Sequence, residues 1–319
     1  MFWLNWLSKI LTMANPQWKG VYPALLTPFH ADESIDEAMF IKNLRAQIDA
    51  GVDGVIIGGS LGEASTLLNE EKIQLLQVAK KTAGPDFPII LNIAESTTKA
   101  AVAFAKEATE AGADGFMLLP PMRYKSDDEE TVAYFKAVAN ATSRSIMIYN
   151  NPVDYKIEVT LDMFASLAEC ENIQAVKEST RDVSNVTRMK NRFGDRFKIL
   201  CGVDTLALEE LCLGADGWIA GLVDAFPRET VAIYRLIKAG RLAEALPIYR
   251  WFLPVLELDI HPKLVQYIKV AATLTDIGSR HVRAPRLPLQ GAELHRVTKI
   301  VEDALASRPQ LPDYLSLNS

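Results

Sequence analysis

Two side chains stand at the ends of apolar runs and are of types that perform covalent or proton-transfer chemistry. In the run Ile-Gln-Ala-Val-Lys at 173–177, a period of two places Ile173, Ala175 and Lys177 on one face. If that face lines a barrel, Lys177 lies in its mouth, where desolvation lowers an amine pKa and frees a lone pair for attack on a carbonyl. Spacing alone favours the simpler interpretation, a solvated lysine at a strand end.

The second side chain is Tyr149, which ends the run Ile-Met-Ile-Tyr and precedes Asn-Asn-Pro at 150–152. A phenol just before a turn forced by these residues can relay protons within an enclosed site. In isolation, a core tyrosine is again the simpler interpretation.

The run Gly-Gly-Ser-Leu-Gly-Glu at 58–63 could hold a carboxylate through backbone N–H groups and the Ser60 hydroxyl. It is neither a P-loop nor a G-x-G-x-x-G motif, so nucleotide binding has little support. An anion cradle and a plain strand-to-helix turn both remain open. In Cys-Gly-Val-Asp at 201–204, a role as helix N-cap suffices to explain Asp204.

Short apolar runs alternate with amphipathic segments along the whole chain, which is typical of β/α units with a parallel sheet. Their starts are separated by roughly 20 to 35 residues, the length of one strand–helix unit. The pattern predicts an α/β fold, a (β/α)8 TIM barrel with a C-terminal helical extension, and an open doubly wound sheet is the alternative. The predicted strands are 21–26, 54–57, 89–92, 115–118, 145–149, 173–177, 198–201 and 217–220.

A Gly-x-Asp-Gly repeat at 51–54, 112–115 and 214–217 predicts that the second, fourth and eighth strands share one kind of entrance. Its first Gly suits a left-handed helix cap, and its second permits close backbone approach. Ser34 with Glu37 forms a capping-box pattern, and Asn69 can cap the next helix. Pro227 suits a first helical turn and Gly240 the end of that helix.

The residues after the eighth predicted strand exceed one closing helix, and 230–239, 242–258, 262–274 and 292–306 have helical periodicity. They predict a small helical appendage whose docking position the sequence does not fix. The predicted division is an extension at 1–16, the barrel at 17–225, C-terminal helices at 226–310 and a tail at 311–319. The short apolar stretch at 1–12 favours an extension or an upstream start before Met13 over a docking helix or a targeting segment.

Composition narrows the class of protein. A chain of 319 residues with 49% hydrophobic residues and a net charge of −6 supports a large core and makes nucleic acid an improbable partner. No stretch reaches the ~20 apolar residues of a membrane helix. Cys170, Cys201 and Cys212 are interpreted as reduced core residues of a cytoplasmic protein. The histidines lack metal-ligand spacing, so neither a metal nor a cofactor is predicted; they are His30, His261, His281 and His295.

Taken in order, these motifs resemble the dihydrodipicolinate synthase / N-acetylneuraminate lyase family of class I aldolases. The resemblance covers roughly residues 17 to 310 and depends on segments 23–29, 59–63, 149–152, 176–179 and 202–204. It implies a Schiff base on Lys177, proton shuttling by Tyr149, and a substrate carboxylate held by Ser60 and the Leu61 amide. It also implies that Gly59, Asp154 and Gly221 line the substrate site, and that two or four copies assemble.

Departures from the family pattern predict the substrate. The cradle has Leu61 where a second hydroxyl is usual, and Asp154 replaces an arginine that grips a second carboxylate. Pro-Pro-Met at 120–122 replaces the Pro-Tyr-Tyr segment that supplies a second relay tyrosine in the family. These changes make lysine biosynthesis doubtful. Four runs resemble instead a catabolic branch of this family: 149–156, 251–254, 261–269 and 283–286. It implies deamination of 1-pyrroline-4-hydroxy-2-carboxylate to 2,5-dioxopentanoate and ammonia, as in hydroxyproline catabolism.

The alternatives within the family are 4-hydroxy-tetrahydrodipicolinate synthase, another pyruvate-releasing aldolase and a sugar-acid dehydratase. Outside it, a metal-dependent aldolase lacks its His/carboxylate cluster, and a non-catalytic binding protein is disfavoured by intact Lys177 and Tyr149. The expected partner is therefore a small carboxylate substrate.

Overall fold

Eight parallel strands form one ring in the part of the chain that the structure, a computed structural model, describes: residues 15–121 and 124–317. The expectation for residues 1–12 and the predicted loss at Met122 lie outside the described residues. The strand order is β1-β8-β7-β6-β5-β4-β3-β2. The strands are Gly20–Pro23 (β1), Val55–Ile57 (β2), Ile89–Ile93 (β3), Gly115–Leu118 (β4), Ser145–Asn150 (β5), Ile173–Glu178 (β6), Lys198–Cys201 (β7) and Gly217–Ala220 (β8).

The ring closes between β1 and β2. Ala24 forms a parallel bridge with Ile56, and the Leu25 amide donates to the Ile56 carbonyl at 2.9 Å. Strands buried on both faces read as continuous apolar runs, and for this reason the sequence pattern located all eight. The (β/α)8 barrel is confirmed, and the open doubly wound sheet is excluded.

Helices cover the outside of the ring and extend beyond it. Short 3-10 turns at Ala64–Thr66, Asp204–Leu206, Leu222–Asp224 and Glu257–Ile260 sit in the connections. The α-helices of the described residues are Glu37–Ala50 (α1), Asn69–Ala83 (α2), Thr98–Glu110 (α3), Asp128–Ala139 (α4), Pro152–Tyr155 (α5), Leu161–Leu167 (α6), Ser184–Phe193 (α7), Ala207–Cys212 (α8), Pro227–Lys238 (α9), Leu242–Leu256 (α10), Leu264–Leu274 (α11) and Gly291–Ala306 (α12).

Two predicted helix caps are wrong by one or two residues. The carboxylate of Asp36, not the Ser34 hydroxyl, accepts the Met39 amide and caps α1. Asn69 is the first residue of α2 and not its cap, and Glu71 instead accepts the Leu68 amide at 2.9 Å. Asp and Ser are about equally good caps, so backbone geometry decides between neighbours. Pro227 does open α9 as predicted.

The Gly-x-Asp-Gly repeat builds the same strand entrance three times. Its first glycines adopt left-handed φ angles of 87°, 98° and 103° at Gly51, Gly112 and Gly214. Its second glycines stand against a neighbouring strand. A Cβ at Gly217 would lie 2.6 Å from the Gly20 carbonyl oxygen, and one at Gly115 would lie 2.9 Å from that of Ser145.

The aspartate of each repeat has a role that sequence reasoning missed. Its carboxylate accepts an amide proton near the start of the preceding strand and so ties adjacent units together. The pairs are Asp53 with Val21 at 2.9 Å, Asp114 with Ile89 at 2.8 Å and Asp216 with Ile199 at 2.9 Å.

The C-terminal helices dock on the carboxyl end of the barrel, which the sequence could not show. The turn Glu257–Ile260 packs on Asp204–Leu206, and the Tyr249 hydroxyl donates to the Asp204 carbonyl at 3.2 Å. Helix α12 covers α10, where Trp251 donates to the Ala304 carbonyl at 3.1 Å. The division of the chain at residues 225 and 310 stays a prediction.

The cysteine prediction is partly wrong. All three thiols are free, but only Cys201 is buried; Cys170 is half-buried and Cys212 is exposed at the end of α8. No helix in residues 15–121 and 124–317 has the length and apolar character needed to cross a bilayer.

The repeat provides a matched pair of stability variants. Gly217→Ala should lower the free energy of unfolding by about 3 kcal/mol, because the new methyl group overlaps strand backbone. Gly214→Ala should lower it by about 1 kcal/mol, because it meets no neighbour and only the left-handed backbone is strained. Urea unfolding measures both, and equal losses would contradict the close-approach role of Gly217.

Candidate active site

A small cavity of about 70 Å³ opens at the carboxyl ends of the strands. In barrels of this type, the loops at that end build the active site. Its walls contain every site residue predicted from the sequence: Gly59, Ser60, Leu61, Tyr149, Asp154, Lys177 and Gly221. Sequence reasoning therefore placed all seven at one opening, although it could not order them in space.

Lys177 and Tyr149 are neighbours across two adjacent strands. They are register partners in β6 and β5, and the Lys177 Nζ lies 4.2 Å from the centroid of the Tyr149 ring. Their exposed fractions are only 7% and 6%. The solvated strand-end lysine is therefore wrong, and Lys177 points into the cavity.

Burial has the largest effect on the pKa of the Lys177 amine. Desolvation lowers its pKa, and the negative charge of Asp259 opposes part of that shift. Gly202 makes room for the side chain, since a Cβ there would lie 2.7 Å from the Lys177 Cε. Burial therefore shifts the Lys177 amine towards its unprotonated form.

The phenol of Tyr149 keeps its proton at neutral pH. Burial raises its pKa, which the amide of Asn151, donating to the hydroxyl at 3.1 Å, only partly offsets. Tyr155 packs edge-to-face on Tyr149 with centroids 5.4 Å apart, and its hydroxyl forms a short hydrogen bond with the Ser60 hydroxyl. Tyr149 and Ser60 thus bring two hydroxyls to the cavity wall, and the Tyr155 hydroxyl lies directly against that of Ser60.

The glycine-rich run at 58–63 forms a wall of the cavity and is anchored from below. Glu63 is the last residue of this run; it has a left-handed φ of 59° and is fully buried. Its carboxylate accepts from Lys269 Nζ at 2.5 Å and from the Arg283 amide at 3.1 Å. Burial lowers the pKa of Lys269 to about 8, against the opposing effect of Glu63. The run is therefore held by the C-terminal helices.

The segment after β5 supplies part of the opening. Asp154 lines the cavity, and its carboxylate accepts a hydrogen bond from the side-chain amide of Asn151 at 2.7 Å. Lys156 turns away, because its Nζ donates to the Val153 carbonyl at 2.5 Å and it is not part of the cavity wall. Asp154 therefore lies in the cavity wall, whereas Lys156 does not.

The N-cap role predicted for Asp204 is wrong. Its buried carboxylate accepts from Trp218 Nε1 at 2.9 Å and from the Leu222 amide at 2.8 Å, which fixes the connection after β8. The Gly221 amide also donates to it, at 3.1 Å. A Cβ at Gly221 would lie 2.7 Å from an oxygen of Asp259, so a larger residue there would displace the Asp259 side chain.

Asp259 and Arg181 line the cavity but escaped sequence reasoning. Asp259 comes from the 3-10 turn after α10, two residues before the conspicuous His-Pro pair at 261–262. Arg181 follows β6 with a left-handed φ of 65°. It forms no hydrogen bond or ion pair with any other described residue. The only signal for Arg181 is its position four residues after Lys177.

A (β/α)8 barrel with a buried lysine facing a tyrosine at its mouth is the arrangement of a lysine-dependent, class I aldolase-type lyase. Residues 17–304 match the Dihydrodipicolinate synthetase family. The chain belongs to this family, whose members are lyases that act through a Schiff base.

Named relatives agree with this assignment. The 4-hydroxy-tetrahydrodipicolinate synthase of Exiguobacterium sibiricum is 34% identical over 274 residues, which is 85% of this chain and 92% of that protein. Dihydrodipicolinate synthase DapA-2 from Bacillus anthracis is 28% identical with a TM-score of 0.86, covering 93% of this chain and all of its own. YagE from E. coli K12, solved in complex with pyruvate, is 25% identical with a TM-score of 0.85, covering 91% and 99%.

The Glu63–Lys269 pair that anchors the cradle can be tested by stability. Lys269→Met should lower the free energy of unfolding by about 3 kcal/mol, because it leaves a buried carboxylate without its main partner. Lys299→Met breaks an exposed pair with Asp303 and should cause no measurable loss. Denaturant unfolding compares the two, and similar values would show that the buried pair does not hold the cradle.

Proposed function

We propose that this protein is a lyase that binds a small 2-oxo acid of the pyruvate type as a Schiff base on Lys177. The observation that carries the proposal is the buried Lys177 amine, whose Nζ lies 4.2 Å from the Tyr149 ring at the barrel mouth. A lowered amine pKa keeps the lone pair available for the carbonyl carbon. The pyruvate bound to the related YagE supports this substrate class.

The cradle supplies the carboxylate site in this proposal. Ser60 and the backbone of Gly59 and Leu61 bound the cavity beside Lys177. A hydroxyl and N–H groups that hold the 1-carboxylate would fix the 2-oxo carbon against the amine, and such positioning accounts for much of catalysis. Leu61 adds an apolar side chain where a second hydroxyl would stand in relatives.

Tyr149, Tyr155 and Ser60 form the proton relay in this proposal. The relay tyrosine predicted to be lost in the segment 120–122 has a counterpart within the chain, since Tyr155 reaches both Ser60 and Tyr149. Proton removal next to the iminium carbon gives an enamine. The enamine then forms, or in reverse releases, a carbon–carbon bond, with general acid–base help of roughly 10²–10⁴-fold.

The names of the relatives support synthesis of 4-hydroxy-tetrahydrodipicolinate as the specific reaction. A dicarboxylic product requires a cation for the second carboxylate, and Asp154 cannot serve. Arg181 can, because it lines the same cavity and pairs with no other described residue. This residue replaces, from a different loop, the arginine whose absence made the reaction doubtful.

A second candidate is deamination of 1-pyrroline-4-hydroxy-2-carboxylate. Asp154 favours it, because a carboxylate at the opening suits a hydroxyl or ring nitrogen better than a second carboxylate. The two synthases named above give this candidate no support. Assembly into two or four copies and a cytoplasmic location likewise stay predictions.

Schiff-base formation is tested by trapping. With pyruvate and cyanoborohydride, mass spectrometry should find the reduced pyruvyl adduct on the peptide that contains Lys177 and nowhere else. Lys177→Met should carry no adduct, and Lys299→Met, which alters an exposed lysine, should be labelled as the wild type. An unlabelled Lys177 peptide would reject the proposal.

The second substrate is tested with Arg181→Met. If Arg181 holds a second carboxylate, kcat/KM for the second substrate should fall roughly 10- to 150-fold, since a hydrogen bond to a charged group contributes about 1.5–3 kcal/mol. Trapping of pyruvate should be unchanged. Release of ammonia from 1-pyrroline-4-hydroxy-2-carboxylate, at the same rate in wild type and Arg181→Met, would instead establish the second candidate.

A further inference from the structure

Three aspartates lie in or near the wall of the cavity that holds Lys177, and they are not equivalent. Asp204 comes from the 3-10 turn after β7, Asp154 from α5 and Asp259 from the 3-10 turn after α10. Asp204 is committed, because its oxygens accept from Trp218 and from the amides after β8. Asp154 is exposed and accepts from Asn151.

Asp259 differs in position and in charge state. It is partly buried, lines the cavity with Lys177, and has one oxygen that would lie 2.7 Å from a Cβ at Gly221. Among the charged groups around Lys177, Asp259 acts most strongly on the pKa of the amine. Desolvation, and then repulsion from Asp204, raise the pKa of Asp259 to about 8. Burial therefore favours the uncharged forms of both groups, the free amine and the protonated carboxyl.

We propose that Asp259 is the acid for Schiff-base formation: it protonates the hydroxyl that leaves from the carbinolamine on Lys177 and remains as the counter-ion of the iminium. The inference rests on the proposed function, because it requires Lys177 to be the nucleophile. It assigns the C-terminal helical layer a chemical part in the reaction.

The protons and charges balance without any further reactant. The neutral amine adds to the 2-oxo carbon, and a proton moves from nitrogen to oxygen to give the carbinolamine. The C–O bond then breaks, the hydroxyl takes the Asp259 proton and leaves as water, and the nitrogen lone pair forms the C=N bond. A neutral pair thus becomes an iminium and a carboxylate, so no unpaired charge appears in the dry cavity.

The nearby phenol is a poorer source of this proton. Burial raises the pKa of Tyr149 above its ordinary value, whereas an acid is most effective when its pKa lies near the working pH. The groups that face Asp259 are Lys177 from β6, Tyr149 from β5, Asp204 from the turn after β7 and Asp154 from α5. Arg181, His261 and Arg286 lie further out in the same opening.

The test is the pH dependence of the rate at which pyruvate forms the trappable adduct on the full chain. In the wild type the rate should decline as pH rises through about 8, because Asp259 loses its proton there. In Asp259→Asn the rate should be roughly 100-fold lower at pH 7 and should show no such decline.

Controls separate the possible outcomes. Glu257→Gln removes an exposed carboxylate on the same 3-10 turn and should behave as the wild type. Asp259→Glu keeps an acid and should restore part of the rate and the decline at high pH, which excludes a folding defect as the cause. An unchanged rate and pH profile in Asp259→Asn would overturn the assignment of Asp259. A wild type without any adduct would instead overturn the proposed function itself.

Discussion

The burial of one amine is the constraint on which the rest of the site depends. An ammonium group taken out of water is costly unless it is paired, so Lys177 can remain at the end of β6 only with a lowered pKa or with a carboxylate near it. The structure provides both, through the closed ring of strands and through Asp259. Gly202 and Gly221 leave room for these two groups, because a Cβ at Gly202 would press on the Lys177 side chain and one at Gly221 on that of Asp259.

The C-terminal helices complete the site instead of merely covering it. Lys269 on α11 fixes Glu63 beneath the carboxylate cradle, and the turn after α10 brings Asp259 to the cavity. Both contacts join parts of the chain that lie far apart in sequence. A barrel without these helices would keep Lys177 and Tyr149 in register, but it would lose the anchor of the cradle and one of the carboxyl groups.

The sequence predicted the parts of this protein that depend on local periodicity. Strands buried on both faces appear as apolar runs, and the period of two placed Lys177 and Tyr149 at the mouth once a barrel was assumed. Prediction from the sequence failed where neighbouring residues compete for one role, as Ser34 and Asp36 do for the helix cap. It also failed where the interacting residue is distant in sequence. Asp204 looked like a helix cap because its acceptor role toward Trp218 becomes visible only when β7 and β8 are adjacent. Asp259 and Arg181 had no local pattern that marks them.

The three aspartates of the Gly-x-Asp-Gly repeat lie at the amino ends of the strands, opposite the cavity. These contacts therefore hold neighbouring strand–helix units in register at the end of the barrel that does not bind substrate. Substrate choice can therefore diverge within the family without a change in folding. The connections at the cavity end can vary in length and composition, while the contacts that align neighbouring strands at the opposite end stay as they are.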